Sequence, residues 1–212
     1  MVSANEISRL LAPFGLQLNS SQLDQVKTYL ELLLRWNEKI NLTSICTPEE
    51  CVTRHFGESL LLAVHERLSG DLLDVGSGAG FPGLALKIVF PDLHTTLLEP
   101  VAKKRAFLKE VCRTCSFSDV EVHPERLEDW AGSGRMYDAI TARALGKIEQ
   151  WVEEASQILK ELGKIHLWVS QQQSKSLRNH DLSIGWIREI EIPTSMQTII
   201  LTGVKNDLDR KR

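Results

Sequence analysis

Asp74-Val75-Gly76-Ser77-Gly78-Ala79-Gly80-Phe81-Pro82-Gly83 is the stretch that decides the fold. A short apolar run at Leu72 and Leu73 precedes it, and Leu84-Ala-Leu-Lys-Ile-Val-Phe90 after it can wind as a helix. A strand, a glycine-crowded turn and a helix open a parallel α/β sheet, because parallel strands need a crossover between them. Glycines in such a turn let backbone N–H groups approach a ligand that side chains would exclude. The next β-like run, Leu93–Leu98, ends at an acid, Glu99. A glycine turn with a downstream carboxylate is how these sheets hold a nucleoside, the carboxylate taking the ribose hydroxyls. The stretch predicts a bound nucleoside cofactor.

Spacing alone does not choose the cofactor. Gly78, Gly80 and Gly83 satisfy G-x-G-x-x-G, so a nicotinamide oxidoreductase stays open. Register points elsewhere. In a dinucleotide fold the first glycine of the fingerprint follows the strand directly. Here that glycine is Gly76, and counting from it places Phe81 where the third glycine belongs. Asp74, at the strand end just before the loop, makes the arrangement similar to motif I of S-adenosylmethionine-dependent methyltransferases. A ligand-free turn is the plain alternative, but clustered glycines cost folding entropy without structural return.

The chain's 212 residues suit one domain of about 150 residues with an appended element. Hydrophobic residues at 42% and charged residues at 25% describe a soluble globular protein. A net charge of −3 exerts no global pull on nucleic acid, so RNA contact must come from local basic patches. Met1–Arg9 lacks the basic-then-apolar order of a signal sequence, and no apolar run approaches membrane-spanning length. A cytoplasmic monomer with no membrane partner is expected. Cys46, Cys51, Cys112 and Cys115 read as ordinary thiols with no metal, because Cys112-x-x-Cys115 lies late in a helix without redox context.

Working outward, the chain divides into a helical extension (1–68), an α/β domain (69–205) and a charged tail (206–212). Ser21-x-x-Asp24 reads as a capping box ahead of the apolar stripe Leu23, Val26, Leu30, Leu33 and Leu34. Thr47-Pro48-Glu49-Glu50 is a second helix start, and Trp36–Ser44 between them reads as a polar connector. Strands are expected near 72–75, 93–98, 119–122, 137–141, 164–169, 186–192 and 197–202, with helices near 82–90, 101–114 and 147–160. The last two strands are separated only by Pro193-Thr-Ser-Met196, too short for a helical crossover, so they must pair antiparallel. A dinucleotide fold runs parallel to its end; this one does not.

Four blocks carry a more specific likeness. They are Trp36-Asn-Glu-Lys-Ile-Asn-Leu-Thr-Ser44, Arg54-His-Phe-Gly-Glu-Ser-Leu60, the Asp74–Gly83 loop, and Thr96-Leu-Leu-Glu-Pro-Val-Ala-Lys-Lys-Arg-Ala-Phe-Leu108, with Thr141-Ala-Arg-Ala144 similar to a fifth. Together they resemble the glucose-inhibited-division-B/RsmG family, bacterial enzymes that methylate guanine N7 in small-subunit ribosomal RNA. The resemblance implies a Rossmann-like class I S-adenosylmethionine-dependent fold, a seven-stranded mostly parallel sheet with an antiparallel C-terminal hairpin and an N-terminal helical cap. It implies S-adenosylmethionine as cofactor and 16S ribosomal RNA or the small ribosomal subunit as partner. By position, Gly76, Gly78 and Phe81 match the loop at the cofactor's methionine end, and Glu99 the acid on its ribose. Leu127 and Glu128 match a pair that contacts adenine through backbone and carboxylate. Arg143 matches the arginine at the mouth of the reaction site and is the catalytic candidate. The duller alternatives are a solvated charge for Glu99, a helix-surface acid for Glu128 and a structural ion pair for Arg143.

Chemistry and departures complete the reading. Guanine N7 has a free lone pair and no proton to lose, so alignment can supply the acceleration without a general base. The fourth strand ends in Thr-Ala-Arg-Ala, with no element for exocyclic-amine or carbon-5 methylation. Lys103, Lys104, Arg105 and Lys109, with Arg54 and His55, are the candidate RNA patches. The chain has Val169-Ser170 where the family usually has Lys-Gly, and Met196-Gln197 where it has an arginine. Both changes remove cations near the substrate crevice, which leaves a small-molecule methyltransferase as an alternative.

Overall fold

A computed structural model describes residues 2–143, 146–180 and 182–206. The N-terminal part is helical: α1 (Ala4–Leu11), α2 (Ser20–Ile40), α3 (Pro48–Glu50), a π-helical turn (Cys51–Gly57) and α4 (Glu58–His65). Thr47 caps α3 as expected, its hydroxyl accepting the Glu50 N–H, with Pro48 at the first position. The start of α2 differs from the expectation. Its cap is Asn19, whose side chain exchanges bonds with Gln22, each 2.9 Å long. The Gln22 amide also donates to Ile88 O at 3.3 Å, so a tertiary bond helps choose this cap over Ser21. The Trp36–Ser44 connector is likewise helical through Ile40, closing on Asn41 in a left-handed conformation (φ 48°). Trp36 packs on Phe107 with ring centroids 5.6 Å apart, which holds that last turn in place.

The sheet contains β1 (Asp71–Val75), β2 (His94–Leu98), β3 (Val120–His123), β4 (Tyr137–Arg143), β5 (Leu159–Ser170), β6 (Ile184–Glu191) and β7 (Thr198–Lys205), in the order β3-β2-β1-β4-β5-β7-β6. Pairs from β3 through β5 are parallel, and β7 runs antiparallel to both β5 and β6. The expected seven strands and C-terminal hairpin are present. β5 starts five residues earlier than expected, at Leu159, because Leu159 pairs with Tyr137 across an irregularity in the ladder. Helices α5 (Gly83–Val89), α6 (Ala102–Thr114), α7 (Leu127–Trp130), α8 (Ile148–Gln157) and α9 (Gln171–Asn179) complete the layers. α9 is unexpected from the sequence; Ser170 and Gln173 form its capping box, using the residue that replaces the family's glycine. Expected residues Ala144 and Asp207–Arg212 lie outside the described ones.

Alternate residues of each strand face opposite sides, as strand geometry requires. Leu72, Leu97, Ala139 and Ile200 join one core with α1, α2, α4, α5 and α6, while Leu73, Leu98, Ile140 and Leu201 join a second with α7, α8 and α9. The N-terminal helices therefore share a core with one face of the sheet. Strand order reverses between β1 and β4, and ligands of open α/β sheets bind outside the carboxyl ends at such a point. Gly76 follows β1 and Arg143 ends β4, so both stand at this crevice.

Candidate active site

The glycine loop is tied down from below and from above. The Gly76 and Ser77 N–H groups donate to Leu98 O at 2.9 and 3.0 Å, anchoring the loop to β2. Gly76 has φ +69°, and a side chain there would point into open space. From above, the Tyr29 hydroxyl on α2 donates to Ala79 O in a short bond. A Cβ at Gly80 (φ +89°) would sit 2.1 Å from that hydroxyl oxygen. Tyr29 does not stand out in the sequence, where it lies outside the apolar stripe Leu23, Val26, Leu30, Leu33 and Leu34.

Beneath the loop lie two acids. Glu99 is buried, with Oε2 accepting the Gly78 N–H and Oε1 the Val101 N–H, both at 2.8 Å. Its strand end is steadied by Arg105, which donates to the Glu99 and Pro100 carbonyls at 2.9 and 2.6 Å. Arg105 is thus committed to backbone, while Lys103 and Lys109 remain exposed on α6. Asp74 is fully buried and accepts the Thr141 hydroxyl at 2.8 Å; burial pushes its carboxyl up to about 6, against the pull of that bond.

Two cavities meet at Gly76. One, of about 600 Å³, is lined by Val75, Gly76, Leu98, Leu127, Glu128 and Trp151 among others. The other, of about 330 Å³, is lined by Thr43, Arg54, His55, Gly76, Phe81 and Arg143 among others, and by no carboxylate among the described residues. The residues singled out in the sequence are therefore split. Leu127 and Glu128 face the larger space, Gly78, Phe81 and Arg143 the smaller, and Gly76 both. Glu99 lines neither wall directly; it lies under the loop between them.

The smaller cavity borrows half its wall from the N-terminal helices. Arg143 donates through Nη2 to Glu58 Oε2 at 2.5 Å and through Nη1 to Arg54 O at 3.0 Å. The Glu58 side chain is 3% exposed and that of Arg143 22%, and burial works against the charge on each. Arg143 is thus an ion-pair partner and a cavity wall at once. The Trp168 indole N–H donates to Glu58 O at 2.9 Å, fixing this helix to β5. Glu58 lies within the Arg54–Leu60 block, and its role depends on a partner 85 residues away. His55 accompanies Arg54 on the π-helical turn, a distortion often found at functional sites. Burial first, then Arg143 and Arg54, lowers the His55 pKa to about 4.

A family profile described as rRNA small subunit methyltransferase G matches residues 22–197. The chain belongs to that family. Among relatives bearing the name ribosomal RNA small subunit methyltransferase G, the Roseiflexus castenholzii protein is 42% identical over 70% of this chain and 65% of its own length. The Exiguobacterium protein is 40% identical over 63% and 58%. The chain thus spans about three fifths of the length of those two relatives. The Ligilactobacillus salivarius protein is 34% identical over 86% of this chain and 79% of its own. Solved structures share the fold at low identity. A ribosomal protein L11 methylase from Lactobacillus delbrueckii aligns with a TM-score of 0.61 at 14% identity, covering 72% of this chain and 79% of that one. The fibrillarin/Nop5p complex gives 0.58 at 16%, covering 71% and 82%. The family member described here therefore has the class I methyltransferase fold. No helix among the described residues is long and apolar enough to cross a membrane.

The departures from the family pattern have a visible setting. Ser170 starts α9, and the Gln171 amide donates to Met196 O at 3.3 Å. Met196 is 94% exposed beside a cavity lined by Gln171, Glu191, Pro193 and Ser195. That edge of the crevice presents no cation from those two positions.

Proposed function

We propose that this protein transfers a methyl group from S-adenosylmethionine to N7 of a guanine in small-subunit ribosomal RNA. The observation that carries the reading is the pair of cavities joined at Gly76, the smaller of which has no carboxylate in its wall. The residues fit the cofactor: the larger cavity has the nucleoside-sized space, and Gly76 turns its bare Cα toward the opening. Leu127 and Glu128 would hold the adenine. Glu99 would hold the ribose, since each of its oxygens keeps a second lone pair beyond the backbone bond it accepts. When bound, S-adenosylmethionine supplies an electrophilic methyl carbon, which a base nitrogen captures while the carbon–sulfur electron pair stays on sulfur.

The chain's own residues then have to align and neutralise, with no proton to remove. His55, the one ordinary base among the described residues of the smaller wall, is bonded at Nε2 to the Thr43 hydroxyl (2.9 Å) and sits in cationic company. An acceptor that must lose a proton would find no carboxylate there; guanine N7 needs none. Arg143 would hold an anionic group of cofactor or substrate through its remaining N–H groups. The helical extension (1–68) forms part of the acceptor wall, and the exposed Lys103 and Lys109 favour an RNA backbone. The test is transfer of labelled methyl from S-adenosylmethionine to small ribosomal subunits that lack the modification. Incorporation, mapped by reduction and aniline cleavage at 7-methylguanine, is expected. Incorporation into a metabolite but not the subunit would replace the substrate and keep the cofactor.

A further inference from the structure

Three rings run in a near-parallel row from the core to the smaller cavity. Tyr29 is fully buried; Phe81 stacks on it with centroids 5.2 Å apart and planes 11° from parallel. His55 stacks on Phe81 at 4.8 Å and 15°, and is itself half-buried in the cavity wall. No further ring among the described residues packs on His55. The row ends at a ring that lines the smaller cavity.

The sequence goes to some length to aim that last ring. Asn37 Oδ1 accepts the Thr43 N–H at 2.9 Å, closing the turn that the left-handed Asn41 begins. Thr43 Oγ1 takes the Ile45 N–H at 3.1 Å and meets His55 Nε2 at 2.9 Å. The Trp36–Ser44 block thus ends in a hydroxyl that orients one imidazole. Arg54, adjacent in sequence, is 56% exposed in its side chain and lies only 3.8 Å from Glu58, so it can reach a further anion.

We propose that this cavity is the subsite for a purine nucleotide of the RNA, its base stacked on His55 as the fourth ring and its phosphate on Arg54. The proposal rests on the methyltransferase reading and assigns it an acceptor site. Charge supports the choice of ring. Methylation at N7 passes the positive charge to the base, and an imidazolium beside it would repel it. Burial and the neighbouring arginines keep His55 neutral at ordinary pH. Thr43 is the positioning residue, acting through the imidazole.

The test is calorimetric titration of guanosine 5′-monophosphate into the full chain saturated with S-adenosylhomocysteine. Base stacking on one ring predicts that His55→Ala weakens nucleotide binding about tenfold or more, while His55→Phe stays within about threefold of the parent. Arg54→Gln should weaken the monophosphate but leave guanosine unchanged. Thr43→Val should weaken both ligands less than His55→Ala does. In His55→Ala and Arg54→Gln the monophosphate should lose more affinity than S-adenosylhomocysteine does, although His55→Ala also removes the ring stacked on Phe81. Equal loss in His55→Ala and His55→Phe, loss in neither, or no nucleotide binding by the parent at millimolar concentration overturns the proposal. Failure of S-adenosylhomocysteine itself to bind would instead remove the cofactor reading beneath it.

Discussion

The two cavities that meet at Gly76 are built in different ways. The larger takes its walls from the sheet domain alone: strand ends, the glycine loop, α7 and α8. The smaller is assembled from the turn after α2, the π-helical turn, the glycine loop and the end of β4. One is a property of the α/β fold, and the other exists only because the helical extension docks against it. The contrast places the common chemistry in the sheet and the selective chemistry where an added element closes over it. Tyr29 and Glu58 are two of the side chains that connect the extension to the sheet's site.

The most damaging change should strike both cavities. Gly80→Ala adds a methyl against the Tyr29 hydroxyl and forces an alanine to positive φ. Those effects together cost on the order of 4 kcal/mol. Chemical denaturation should show that loss, and calorimetry should show cofactor affinity falling with it; a near-neutral result would break the view that Tyr29 pins the loop. Glu58→Ala should separate the halves. It leaves Arg143 buried without its counter-charge, a loss of about 3 kcal/mol. Methyl transfer should fall further than S-adenosylhomocysteine affinity does, because Glu58 reaches the site only through Arg143 in the smaller wall.

Acid should act on the buried histidines and on Asp74 with opposite sign. His55 and the buried His166 have folded pKa values lowered to about 4, so the unfolded chain binds more protons below about 6.5. Their stability contribution is full above 6.5 and is lost as pH falls through about 4, up to roughly 3 kcal/mol each. Asp74, raised to about 6, does the reverse, since the folded state holds its proton between about 4 and 6. Denaturation at pH 7, 5.5 and 4.5 should therefore show a shallower loss in His166→Gln and a steeper one in Asp74→Asn.

Glu99→Gln should weaken cofactor binding from beneath the loop that separates the two cavities. Losing a charge-assisted ribose contact is worth about 1.5–3 kcal/mol, a drop in cofactor affinity of roughly tenfold or more. Equal affinity in variant and parent would remove Glu99 from the cofactor's grip. The smallest effect is a control outside both cavities. Leu162, 72% exposed at φ +60°, should gain about 1 kcal/mol when replaced by glycine, read as a higher Tm with unchanged cofactor binding.

Much of this was legible from local pattern. Glycines directly after an apolar run, an acid one strand later, and a four-residue link before the last strand specify the sheet, its crevice and the place of Gly76. Helix limits are less legible there. Asn19 and Ser21 are both acceptable caps, and only the Gln22 bond to Ile88 O favours the first. Trp36 extends α2 because Phe107, 71 residues later, lies against it.

By itself the sequence determined what short-range physics controls: the alternation of strand and helix, the glycine turn where backbone must approach a ligand, and the antiparallel close. Tertiary structure alone decided that Glu58 faces Arg143, that Tyr29 caps the loop, and that His55 ends a row of three rings. Each of those contacts joins residues far apart in the chain, and no local propensity encodes which distant groups will share a desolvated space.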